Sequence, residues 1–478
     1  MYRATQFAGS LAALICTLGI TGCGGAMDSA APPSATTGPS GTNPPPPTPT
    51  SSAPTVSVEP TTIYVGQSAT LTWSVNGTAN STCTASGAWS GTPPQTSVVT
   101  PTAAGTNVYT ISCTVAGSPT AATASATLTV KPAASGPGQY ALTTLVSDTA
   151  AGGGVSVDPD LRNPWAISVD TFGYGLDVTS SGSRTSSHYD TQGNVLGTVT
   201  FPADFVPTGI VNLGDNEGTF PLGANCLSRF VYASTAGTLA GWSLSGSPVV
   251  MYTATDNAVY TGLTGIFFSQ PIFAADFHNG KIDVIDGSWT KQTPSPTSYA
   301  FADPALPPNY APFGIQAVFL NGSCSTGICL PNEIVVTYAQ RDPQSPDEPL
   351  VGAGLGLVDV FDVQGNFMKR LISPGGALNA PWGVALAPAS FGQLSNTLLI
   401  GNFGDGKINA YDPTTGQFIA SVSDTTGAAI VLPGLRGITF CDMSEYGCAG
   451  PNQSQYNVLF FAAASDATHG SVGKIYQP

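Results

Sequence analysis

The sequence predicts an all-β chain, a six-bladed β-propeller preceded by a smaller β-sandwich, and three observations predict it. With 56 Gly and 40 Pro among 478 residues, and only 9% of positions charged, the chain is made for turns and short strands rather than long helices. Residues 399–412, LIGNFGDGKINAYD, read as two alternating strands around a Gly-Asp-Gly turn, and residues 273–286, FAADFHNGKIDVID, are an earlier copy. Asp276-Phe277 matches Asn402-Phe403, Gly280-Lys281-Ile282 matches Gly406-Lys407-Ile408, and Asp286 matches Asp412, so this half of the chain is a repeat. Third, a step from a small residue into an apolar strand recurs six times. The copies are Pro164-Trp165-Ala166-Ile167, Pro207-Thr208-Gly209-Ile210, Leu263-Thr264-Gly265-Ile266, Pro312-Phe313-Gly314-Ile315, Pro381-Trp382-Gly383-Val384 and Leu435-Arg436-Gly437-Ile438. Their spacing suits one four-stranded unit each, with loop insertions.

Taken in order, residues 1–23 carry Arg3, an apolar run over 11–20 and Ile20-Thr21-Gly22-Cys23, the arrangement of an export signal too short to span a bilayer. The last four resemble the lipobox of bacterial lipoproteins, which implies that Cys23 is lipidated and tethers the chain to a membrane. Gly24 rather than Asp follows it, so in a cell with two membranes the resemblance implies the outer membrane or the cell surface. Residues 24–54 are rich in Pro, Thr and Ser, cannot bury a core, and read as an extended tether.

Residues 55–132 hold alternating strands around Leu71 and Trp73 and around Tyr109, Ile111 and Cys113. SVEPTTIYVGQSATLTWSV, STCTASGAWSG and YTISCTVAG resemble a bacterial immunoglobulin-like domain, which implies a sandwich stapled by Cys83 and Cys113. Such a domain serves as a ligand-binding unit or as a spacer, and no polar cluster marks a site. Among the later cysteines, Cys324 with Cys329 and Cys441 with Cys448 are spaced for loop disulfides, and neither pair has the companion ligands zinc needs. Cys226 has no evident partner and reads as a buried thiol.

Residues 133–138 are a linker, and 139–478 form the repeat domain. The sixth copy ends at Lys474-Ile475-Tyr476 without room for a further strand, whereas residues 140–146, YALTTLV, alternate ahead of the first copy. That early strand is expected to complete the last unit and close the ring, removing free edges. A monomer is expected.

NPWAISVD, AADFHNGKIDVID, PPNYAPFGIQ, GAGLGLVDVFDVQGNFMKRLISPGGALNAPWGVALAPASFG and GNFGDGKINAYDPTTGQF resemble an uncharacterised family of exported bacterial propellers whose members often end in a PEP-CTERM sorting signal. More distantly the pattern is similar to NHL repeats and to calcium-dependent lactonase and gluconolactonase propellers. In the lactonases, several ligands to the central metal sit just before the motif glycine. Here those positions hold Trp165, Thr208, Thr264, Phe313, Trp382 and Arg436, none of them an acid or amide, so no metal or other cofactor is expected there.

Trp165, Phe313, Trp382 and Arg436 are instead a candidate ligand-binding set at one mouth of the channel, suited to sugar rings or planar molecules; the competing reading is that they plug it. Asp177, Ser234, Asp276, Thr337 and Asn402 form a second candidate ring that offers oxygens to a polar ligand or to Ca2+, the competing reading being turn residues bonded to their own backbone. Asp276, His278 and Asn402 are the candidate catalytic centre if the protein is a hydrolase or lactonase-like enzyme. The insertion over 340–349 is a candidate lid. A net charge of −15, with 13 Lys and Arg, excludes an electrostatic footprint for nucleic acid. The sequence thus reads as an exported, lipid-anchored binding protein for a glycan, peptide or envelope protein rather than as an enzyme.

Overall fold

The structure, a computed structural model, describes residues 54–131 with short gaps, and 139–478 save 170–174, 215–218, 224–225, 267–270, 321–331 and 441–456. The export signal, the tether, Cys23, Cys324, Cys329, Cys441 and Cys448 lie outside the described residues.

The first folded part pairs a three-stranded sheet (Thr55–Glu59, Ala69–Ser74, Thr96–Val99) with a four-stranded one (Thr62–Tyr64, Ala122–Lys131, Gly105–Val115, Ser81–Gly87). Alternation places Val58, Ile63, Leu71, Tyr109, Leu128 and Val130 in a shared core. Cys83 and Cys113 are bonded, as expected. They do not staple sheet to sheet, however: the two face each other on neighbouring strands of the four-stranded sheet, and the bridge packs beside Trp73. Cys226, expected to be a buried thiol, is disulfide-bonded and only partly buried; its partner lies outside the described residues.

The second part is all-β and of propeller type. Among the described residues, besides a two-stranded sheet of Pro221–Gly223 and Cys226–Leu227, six larger sheets follow one another along the chain, each with one inner strand: Pro164–Val169, Pro207–Asn212, Tyr260–Gly265, Tyr310–Val318, Pro381–Leu386 and Leu435–Phe440. Each inner strand packs on the next, and the sixth packs on the first. The early strand Gln139–Ser147 pairs antiparallel with the last strand, His469–Tyr476, with Lys474 opposite Thr143, so the expected completion of the sixth sheet is observed.

In every inner strand the pairing with its neighbour is interrupted at one place, around the motif glycine or, in the first, around Ala166. There the backbones of adjacent sheets nearly touch. A Cβ on Gly314 would stand 2.0 Å from the carbonyl oxygen of Trp382, and one on Gly383 2.4 Å from that of Arg436. The recurring glycine is therefore a packing requirement between sheets.

The third copy departs from expectation in two ways. Its interruption falls between Tyr260 and Gly262, so Tyr260-Thr261-Gly262-Leu263, not Leu263-Thr264-Gly265-Ile266, is the equivalent motif. Its sheet also has three strands, Tyr260–Gly265, Ile272–Asp276 and Lys281–Ile285, rather than four. The following segment carries Pro294, Pro296, Pro304, Pro307 and Pro308, and proline cannot donate to a strand ladder. It runs as a loop that bonds to the next sheet instead, with Tyr299 and Phe301 donating to Gln364 and Gly365.

Candidate functional site

The residues just before each motif glycine, or before Ala166 in the first copy, form one set: Trp165, Thr208, Thr261, Phe313, Trp382 and Arg436. Four are the predicted candidates, and the structure brings them together. Trp165 and Trp382 each donate an indole N–H to the carbonyl oxygen of Thr261, both at 2.9 Å, so one oxygen from the third sheet ties the first sheet to the fifth. Phe313 is fully buried with Phe277, while Trp165, Trp382 and Phe403 pack over them and stay partly exposed. The two fully buried rings lie at the centre of this cluster, and the three partly exposed ones cover them. Thr264, by contrast, points away from this set and accepts a hydrogen bond from the Ala317 amide at 2.9 Å.

Arg436 is 7% exposed and lies between two aromatic faces, its guanidinium carbon 4.1 Å from the Trp165 ring centre and 4.6 Å from that of Phe403. Its Nη1 donates to Asn163 Oδ1 at 3.0 Å, and its Nε is buried with no partner. Burial pushes this guanidinium down to about 10, opposed by the negative charge of Glu348. Glu348 belongs to the insertion after Gln340. Burial raises its carboxyl and Arg436 draws it back, yet the two side chains form no ion pair.

That insertion docks on the turn of the third sheet. Arg341 donates from Nε and Nη2 to the Phe277 carbonyl at 3.1 and 2.7 Å, and from Nη2 to the His278 carbonyl at 2.8 Å. His278 Nδ1 lies 2.6 Å from Asp347 Oδ1. The segment is thus a strap fastened beside the mouth.

The second predicted ring does not hold together. The residues opposite the first position of the motif are Ser180, Ser234, Asp276, Tyr338, Asn402 and Ala463, so Asp177 and Thr337 fall out of register. Asp177 sits further along its strand, 3.2 Å from His188. Asp276 is fully buried and accepts from the amides of Val259 and Asn279, both at 3.1 Å, and from the Asn279 side chain at 2.8 Å. Ser234 does the same for Val206 and Ala236. These are turn-closing residues. Asn402 donates to the Ala377 carbonyl and to Asp405, and its Oδ1 has no partner. Asp276, His278 and Asn402 therefore each face a different neighbour, and no catalytic pair forms among them.

Carboxylate oxygens of Asp256, Asp276 and Asp283 do converge within 4.8 Å. An ammonium already stands among them: Lys281 Nζ is 2.5 Å from Asp256, 3.1 Å from Asp283 and 3.6 Å from Asp276, and Lys291 reaches Asp283 at 2.7 Å. Burial alone would lower the Lys281 ammonium; its bonds to Asp256 and Asp283 hold it above its ordinary value. The cluster is an ion-paired brace of two ammonium groups against three carboxylates, and its chemistry does not suit a hard cation while both lysines are in place.

Sequence reasoning missed Phe277, Phe403 and Thr261, and it named the insertion over 340–349 as a lid without singling out Arg341 and Glu348. Phe277 and Phe403 stood in matching places of the two hairpin copies, which was the available signal.

These features define an all-β protein of propeller type with an aromatic mouth. The chain is 30% identical over 330 residues to "Uncharacterized protein R648" of Acanthamoeba polyphaga mimivirus, covering 66% of this chain and 76% of the viral one. It is 30% identical over 340 residues to "Uncharacterized protein L690" of the same virus, covering 66% and 81%. The chain belongs to the family that these viral proteins represent. Among solved structures it is similar to regucalcin, a calcium-binding protein from Agrobacterium tumefaciens, at 12% identity and a TM-score of 0.39, covering 66% of this chain and 91% of that one. No family model matches the chain.

Proposed function

We propose that this protein is an exported, lipid-anchored binding module: a closed six-bladed propeller over 139–478, carried on an immunoglobulin-like spacer over 55–132, that holds a glycan, peptide or envelope protein at its mouth. One observation carries the reading: Trp165, Trp382, Phe403 and Arg436 come from three different sheets to one place, where three aromatic side chains stay partly exposed around a buried cation. Aromatic faces with few polar groups recognise ring-shaped or planar ligands. The hydrolase reading lacks a comparable constellation, since its three candidate residues are committed to separate turns and to the strap. Anchorage rests on residues 1–23 and Cys23, together with the resemblance to exported bacterial propellers; the matched relatives are viral.

The test is a panel of immobilised oligosaccharides and peptides probed with the wild type, Trp165→Ala and Trp382→Ala. At least one member binds the wild type, and each substitution weakens it about tenfold or more. Binding that both variants retain in full contradicts the assignment of the mouth. Labelling of the expressed chain with a radioactive fatty acid, lost in Cys23→Ala, tests the anchor.

A further inference from the structure

Arg436 differs from the other central residues in what it leaves unfinished. A buried guanidinium costs free energy unless its donors are met. Its two faces are covered by Trp165 and Phe403 and its Nη1 by Asn163, but the edge formed by Nε and Nη2 has no hydrogen-bond partner among the described residues. That edge is the side of the fork that takes a carboxylate with two parallel hydrogen bonds in the guanidinium plane. Nothing among the described residues supplies the anion. Glu348 is near enough for its charge to be felt and yet does not pair.

Arg341 provides the internal control. It too lies over an aromatic ring, Phe277, at 5.9 Å, but its Nε and Nη2 are both spent on the carbonyls of Phe277 and His278. One arginine fastens the strap; the other is held ready with its edge open. The strap, pinned to the third-sheet turn through Arg341 and Asp347, carries Glu348, whose negative charge acts on Arg436 without pairing with it and opposes an incoming anion.

Resting on the binding reading above, we propose that the mouth takes a ligand in which a ring bears a carboxylate, the carboxylate pairing with the Nε and Nη2 edge of Arg436 and the ring lying against Trp165 or Trp382. Glu348 competes with that carboxylate, and a strap that moves Glu348 away tightens binding.

Isothermal titration with D-glucuronate, D-glucose and benzoate tests this on the full chain. Glucuronate or benzoate binds and glucose does not, the stronger of the two acids showing whether the ring is a sugar or an aromatic one. Arg436→Gln weakens that binding at least tenfold. Because a change at this buried position can unfold the protein, Glu348→Gln, on the exposed strap, is the second arm and tightens binding at least threefold. Binding of neither acid, glucose binding as tightly as the stronger acid, or an unchanged affinity in Glu348→Gln, overturns the proposal. Trp165-dependent binding of an uncharged panel member, with no gain from a carboxylate, overturns this inference alone. Loss of any Trp165-dependent binding across the panel overturns the binding reading itself.

Discussion

The turns of the third and fifth sheets have nearly the same sequence and opposite chemistry. At one position of the shared hairpin stands Asp276, at the other Asn402, each opposite the first residue of its inner-strand motif. Asp276 is an acceptor with three donors around it, and its turn is further braced by Lys281. Asn402 works as a donor and leaves its own oxygen without a partner. The next residue is Phe in both, packed 5.4 Å (Phe277) and 6.0 Å (Phe403) from the Phe313 ring, and an arginine lies over each. Both oxygens of Asp276 are bonded in the third-sheet turn, whereas Asn402 Oδ1 in the fifth-sheet turn and Nε of the arginine over Phe403 have no partner. A repeat supplies one scaffold twice, and the departures between copies locate the site.

Substitution at the paired turn positions breaks or sharpens this contrast most strongly. Asp276→Ala removes the acceptor of the part-buried Val259 and Asn279 amides, while the Asn279 side chain keeps its bond to the Asp256 carbonyl, and lowers stability by about 2 kcal/mol, whereas Asn402→Ala costs about 1 kcal/mol. The smaller cost follows because the Ala377 carbonyl keeps its bond from Asn409. Urea denaturation of both variants checks this, and equal losses would remove the contrast.

The lysines that follow come next. Lys281→Met leaves three converging carboxylates with only Lys291 and costs about 1–2 kcal/mol at pH 7, while Lys407→Met, whose partner Asp405 is 3.5 Å away and exposed to screening, stays within about 0.5 kcal/mol. The hydrogen bond from Lys281 holds the Asp256 carboxyl below its ordinary value. A lowered carboxyl stabilises the fold above its unfolded pKa and loses that contribution as pH falls through the folded one, so the cost of Lys281→Met shrinks on acidification below about pH 4. Millimolar calcium raises the melting temperature of Lys281→Met and not of the wild type, because removing the ammonium opens the carboxylates to a divalent ion.

The smallest effect lies at the far end of the hairpin. Burial alone would raise the Asp286 carboxyl, but donors from Ser288, Thr290 and Gln292 hold it below its usual range. Asp286→Asn costs about 0.5–1 kcal/mol at pH 7, and the difference from wild type disappears as pH falls through the folded value. Parallel melts at pH 7 and pH 3 measure it.

Much of the fold was legible because its constraints are local. The hairpin turns need Gly280 and Gly406 with positive φ, and the inner strands need a small residue where sheets meet, so both recur in the sequence. The reading failed where one segment satisfied the pattern twice: YTGLTGI offers Thr261 and Thr264 to the same motif, and only the strand register separates them. The missing strand of the third sheet was written in five prolines, which a count of repeats passes over. The aromatic and cationic members of the mouth were legible as Trp165, Phe313, Trp382 and Arg436. The partners that give them meaning, Phe403, Asn163 and Glu348, were not, because contacts across sheets leave no local trace. Asp276, His278 and Asn402 looked like a site for the converse reason: proximity in the repeat pattern says nothing about which neighbour a side chain faces.

The contrast between the two arginines is open to direct observation. In protein labelled with 15N only at arginine, with Arg341→Lys and Arg436→Lys providing the assignments, the Nε–H signals of both residues are followed during addition of D-glucuronate and, separately, of benzoate, and the stronger binder is read. The Arg436 signal shifts with saturation while that of Arg341, already bonded to Phe277, stays in place. A shift at Arg341 alone, or none at Arg436, contradicts the account.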